Sequence, residues 1–188
     1  MSYIAYGSEA AVDALLEFLR DGTHGGATSP ADTFNDVLAA RRTTLGVTTA
    51  TLPDIAEFVA YWPFADERAT HTPQLVVGWR GSAGEELPPT GRSFDHVLEV
   101  MIFLTDADVL GSEVEAAKAA ARYSDALRVM LNRRVKQEQG HTLNNGGTGA
   151  AQGRVISCQV QRQEYAVAGT PPNFMTIAEI RVRMSEAY

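Results

Sequence analysis

The feature that most constrains this chain is the run Phe94-Asp-His-Val-Leu-Glu-Val-Met-Ile-Phe-Leu104. Read with a period of two, it puts His96, Leu98, Val100, Ile102 and Leu104 on one face. Val97, Glu99, Met101 and Phe103 fall on the other. The first side is apolar apart from His96, and the second is largely apolar too. A strand of this kind cannot stand at the surface of a half-solvated sheet. It must be central and covered on both faces, or covered on one of them by a neighbouring subunit.

Other segments supply its neighbours. Gln74-Leu-Val-Val-Gly-Trp-Arg80 after Pro73 is a short strand candidate, followed by an exposed Gly- and Pro-containing connection over 81–91. Arg154 to Val167 reads as a strand with Ile156, Cys158 and Val160 on one face. Phe174 to Met184 reads as another, with Phe174, Ala178, Ile180, Val182 and Met184 pointing one way. Ala168 to Asn173, with two prolines, is the turn between them. Ile55 to Trp62 is a helical turn or a strand that Pro63 ends.

Three helices are expected. Ser8 caps the first, and Val12, Leu15, Leu16 and Leu19 line its apolar face to Arg20. Ser29-Pro30 with Asp32 opens a second, with Phe34, Val37 and Leu38 inward and an end near Arg42. Ser112-Glu-Val-Glu115 is a capping-box match that starts the third, which runs to about Arg134. Val114, Ala117, Ala121, Leu127, Met130 and Leu131 are the expected face of that helix, with Ala120 and Tyr123 beside it. Thr43 to Asp54 is irregular.

The order is helix, helix, strand, strand, helix, strand, strand. Two hairpins joined by a helix predict an α+β fold: one antiparallel four-stranded sheet with two main helices packed on one face. At 188 residues this is one domain, 1–188, long enough for a core of its own. Residues 21–72 form a variable insertion and 137–153 a flexible loop, rich in Gly and Asn, longer than the usual structureless connection.

Composition narrows the function. The net charge of −7 resides in residues 1–91, which hold 12 acids and 5 bases. That balance opposes tight non-specific nucleic-acid binding. No apolar run reaches the length of a membrane helix, and residues 1–7 lack the pattern of a secretory signal. One cysteine, Cys158, gives no disulfide framework within the chain and no cysteine-based zinc site.

No constellation announces catalysis. The run Gly147-Thr-Gly-Ala-Ala-Gln-Gly153 resembles a phosphate loop, but here a helix precedes it and a strand follows, the reverse of the order that aims backbone N–H groups at an anion. His24, His71, His96 and His141 show no metal-ligand spacing, and His96 reads as a partly buried, hydrogen-bonded core histidine. Cys158 has no partner base in view. Asp106, Asp108, Glu113 and Glu115 could attract a cation, but acids at a helix start also stabilise its dipole. Arg128, Arg133, Arg134 and Lys136 are equally expected at a helix end. A four-stranded sheet with helices raises an RNA-recognition fold, yet the strand starting at Arg154 lacks stacking aromatics. The expectation is no enzyme activity, no cofactor and no metal.

The arrangement resembles the tail terminator and related head–tail joining proteins of tailed bacteriophages. The resemblance rests on the N-terminal helix and on Pro73-Gln-Leu-Val-Val77. It rests further on His96–Leu104, on Ala120-Ala-Arg-Tyr-Ser-Asp-Ala-Leu127, and on a closing hairpin ending Ile180-Arg-Val-Arg-Met184. It covers residues 8–20 and 73–185, while 21–72 is longer than the family leads one to expect. It implies a virion structural protein of the tail or neck, assembled in the host cytoplasm, which forms a ring, usually six-fold, on the tail tube. Its partners would be copies of itself, the tail tube protein and neck or connector proteins, with DNA only as cargo through the pore and no membrane. A stopper or adaptor on the portal is the alternative neck role; a small-ligand enzyme using His96 and a host binding module are the alternatives outside the neck. In the ring reading, Val97, Met101 and Phe103 are the interface residues. The competing cover for them is the insertion itself, through Phe58, Tyr61, Trp62 and Phe64.

Overall fold

A computed structural model describes residues 8–21, 33–60, 71–85, 92–137, 154–168 and 173–186. The helix start at Ser29-Pro30, the loop 137–153 with its glycine run, the turn 169–172, and Tyr61, Trp62, Phe64, His24 and His141 lie outside these described residues.

Five strands form one sheet in the order β1-β2-β3-β5-β4. They are β1 (Glu57–Ala60), β2 (Gln74–Glu85), β3 (Arg92–Thr105), β4 (Arg154–Ala168) and β5 (Asn173–Glu186). The expected four-stranded antiparallel sheet is corrected here. The four long strands are antiparallel neighbours, but β1 adds a fifth strand that runs parallel to β2. The sheet is therefore mixed. The periodicity of Ile55 to Trp62 is too short to separate strand from helix. Pairing decides it: Phe58 and Ala60 stand beside Leu75 and Val77 and pack toward the core. β2 also runs on to Glu85, through glycines read as a connection, because β3 pairs with it throughout. As the two-sided pattern of Phe94–Leu104 requires, β3 is the central strand.

Three helices rather than two bury their apolar faces with this core: α1 (Ser8–Asp21), α2 (Phe34–Leu45) and α3 (Glu113–Gln137). α1 buries Ala11, Val12, Leu15, Leu16, Phe18 and Leu19. α2 starts later than Ser29-Pro30 suggested. Thr33 is its N-cap, its hydroxyl accepting the Asp36 N–H at 3.1 Å while the Asp36 carboxylate takes the Thr33 N–H at 2.9 Å. This reciprocal pair satisfies two end groups that a helix leaves open. Gly46, at φ 65°, closes α2 in the left-handed region that glycine enters without strain.

α3 buries a different face from the expected one. Ala116, Ala119, Ala120, Tyr123, Ala126, Leu127, Met130 and Leu131 are inward, whereas Val114 and Ala121 are exposed and Ala117 is half-buried. Alanines surround this helix, so the periodicity leaves its rotation weakly determined. The small side chains let α3 lie close to the sheet, and the Thr176 hydroxyl of β5 donates to the Ala120 carbonyl. The irregular stretch between α2 and β1 is fixed by side chains. Asn35 exchanges two hydrogen bonds with the Ile55 backbone, Arg42 donates to the Leu52 carbonyl, and Tyr123 donates to the Pro53 carbonyl.

Candidate interaction surface

The core lies between the helices and one sheet face, which carries Leu75, Val77, Leu98, Val100, Ile102, Leu104, Phe174, Ala178 and Ile180. Alternation sends the intervening residues to the opposite face. The register lines them up in rows. Val59, Val76, Met101, Ile177 and Glu164 form one row across all five strands; Glu57, Gln74, Phe103, Met175 and Ala166 form the next. The following rows are polar: Gly78, Glu99, Glu179 and Arg162, then Val97, Arg181 and Gln159. None of the three helices contributes to this face.

Of the residues expected at an interface, all three lie on this face. Val97 and Phe103 are half-buried, and Met101 is buried within the single chain beside Val76. Met175 and Ile177, next to Phe103 and Met101 on β5, are half-buried as well. The apolar area offered to a neighbour is therefore carried by Val97, Phe103, Met175 and Ile177. Of the competing covers, Phe58 points into the helix-side core instead.

One group on this face was not foreseen. Trp79 pairs with Leu98 and Gly81 with Val97, so Arg80 is the extra residue of a β-bulge. Its Nε donates to the Glu99 carboxylate at 3.0 Å, and the Glu99 side chain is 8% exposed while that of Arg80 is 59% exposed. The signal was the Gly78-Trp-Arg-Gly81 spacing, since glycines inside a strand mark bulges.

The chemical candidates have structural duties. Asp108 accepts from the Thr105 N–H, the Thr105 hydroxyl and the Thr72 hydroxyl, which locks the short 3-10 turn Asp106–Val109 onto the start of β2. Glu115 binds Lys118 at 2.7 Å, which holds its carboxyl below the usual range, with Arg122 at 3.8 Å. The Ser112 hydroxyl accepts the Glu115 N–H, so only half of the capping box forms. Arg128 meets Asp125. Among the described residues no group of His, Cys, Asp and Glu is arranged to hold a metal.

His96 is buried on the core face, and burial pushes its pKa down, with Asp95 opposing. Tyr123 is wholly buried, and burial raises its pKa, reinforced by Asp108 and Asp54. Cys158 occupies a β4 position opposite Val182. Among the described residues no helix is long and apolar enough to cross a membrane.

No protein-family model and no curated protein matches this chain. Among solved structures it is similar to a chain from the virion of a native gene transfer agent particle. That match has 15% identity and a TM-score of 0.38, and covers 68% of this chain and 78% of the other. At that TM-score the likeness does not establish a shared fold.

Proposed function

We infer that this chain is a virion structural protein of a tailed-phage type. In this reading it assembles with copies of itself into a ring at the head–tail junction, in the role of a tail terminator. The observation that carries the reading is the helix-free sheet face with its apolar margin of Val97, Phe103, Met175 and Ile177. An apolar surface that the chain's helices leave uncovered suits a permanent protein contact. Identical subunits joined through unlike surfaces close into rings. The acidic balance agrees, since a pore for DNA must let phosphates slide rather than hold them. A tail tube protein and a neck or connector protein would be the partners above and below.

The test is the mass of the purified chain in solution, followed by electron micrographs of the same sample. A closed ring is expected. Phe103→Asp should weaken assembly more than it lowers the melting temperature of the subunit. A chain that stays monomeric at every concentration, and whose Phe103→Asp variant melts far lower, would place this face in the internal core and end the ring reading.

A further inference from the structure

Two exposed patches of opposite character lie on this chain. The first is Trp79 and Arg80 on the β2 bulge, at the margin of the helix-free face. Trp79 is 49% exposed. Arg80 is held through Nε by Glu99, a carboxylate withdrawn from water. Burying a carboxylate to pair with an exposed guanidinium returns little stability, because the desolvation cost falls on the buried partner and solvent screens the attraction. What the pair does achieve is a fixed guanidinium, beside an aromatic ring, at the surface. Trp and Arg are the residues that most often dominate protein contacts.

The second patch is the corner between the 3-10 turn and α3. Leu110 is 70% exposed and Val114, four residues on, is 64% exposed. Leu110 also sits at φ 61°, a left-handed conformation that favours glycine or asparagine over a branched side chain. Its geometry is locked: the Leu110 and Gly111 N–H groups both donate to the Asp106 carbonyl. A leucine held in this conformation and facing water gains nothing for the folded subunit. Acids border it, with Glu113 exposed and Asp106 half-buried.

We propose that the Leu110–Val114 corner of one copy docks on the Trp79–Arg80 bulge of the next, Leu110 and Val114 against the Trp79 ring and Glu113 against the Arg80 guanidinium. The patches match in both apolar character and charge. They are different surfaces of one chain, so the contact is head-to-tail, the kind that closes a ring. Glu99 is a positioning residue, acting through Arg80. This contact rests on the ring reading and names which surfaces meet.

The experiment measures self-association of the full chain by sedimentation, with thermal melting alongside. Arg80→Glu and Glu113→Arg should each weaken association by about tenfold or more, and the two together should restore most of it. Leu110→Asn suits the left-handed backbone, so it should keep or raise the melting temperature while weakening association. Glu99→Gln should weaken association without lowering the melting temperature. A wild-type ring that these variants leave intact, or single variants that weaken it with no rescue in the double, overturns the proposed contact and leaves the ring standing. A wild-type chain that never self-associates ends both.

Discussion

The Tyr123 hydroxyl donates a 2.8 Å hydrogen bond to the Pro53 carbonyl, so a buried side chain of α3 fastens a loop seventy residues earlier in the chain. Arg122, next to it, donates to the Thr51 carbonyl at 3.3 Å, and Arg42 reaches the same loop from α2. The loop between α2 and β1 thereby becomes part of the packed structure, and it delivers β1 to the edge of β2. Tyr123→Phe removes one donor and leaves the Pro53 carbonyl short of a partner. It should cost about 1–2 kcal/mol in urea unfolding, with little change in the dependence on urea concentration. A neutral result would show that water replaces the bond.

The same residue has a signature in alkali. The phenol's pKa is raised, so the folded state keeps its proton where the unfolded state, with its ordinary value of 10.0, gives it up. Its contribution to stability is therefore complete below pH 10 and falls as pH rises above that value. Absorbance titration should show one of the six tyrosines ionising only as the chain unfolds. In Tyr123→Phe that late step should be missing.

His96 works in the opposite pH direction. Burial lowers its pKa below 6.5, so on acidification the unfolded state takes up the proton first. Stability should be full above pH 6.5 and should decline as pH falls from there toward the lowered folded value. Denaturant midpoints measured across this range should show the decline, and His96→Leu should flatten it. An unchanged slope in that variant would assign the acid sensitivity to other groups.

The rotation of α3 can be checked by enlarging alanines. Ala119 is buried toward the core, so Ala119→Leu forces extra atoms into a filled layer and should cost about 1–3 kcal/mol or more. Ala121 is exposed, and Ala121→Leu should fall within about 0.5 kcal/mol of the parent. Equal effects at the two positions would contradict the buried face described above.

The tie between sheet and helix is a further point of strain on mutation. Thr176 is buried on β5 and donates to the Ala120 carbonyl. Thr176→Val keeps the shape and removes the donor, and should cost about 1 kcal/mol in the same unfolding measurement. Thr176→Ser, which retains the hydroxyl, should recover the hydrogen bond while losing a methyl contact.

The sequence by itself determined the elements whose periodicity is strong. The two-sided pattern of His96–Leu104 made that strand central, and α1, β5 and the start of α3 follow from apolar spacing and capping residues. These signals are local, since each segment carries its own record of which side faces water. Tertiary structure decided what local patterns leave open. Four residues at 57–60 became a strand only because β2 offered its edge, in parallel. The alanine-rich α3 took its rotation from the sheet beneath it, where close approach rewards Ala116, Ala119 and Ala120 over the larger Val114. Arg80 became a presented guanidinium because a bulge set it beside Glu99, nineteen residues away in sequence and 3.0 Å away in space. Pairing and packing between distant segments contribute the energies that settle such positions, and no single segment contains them.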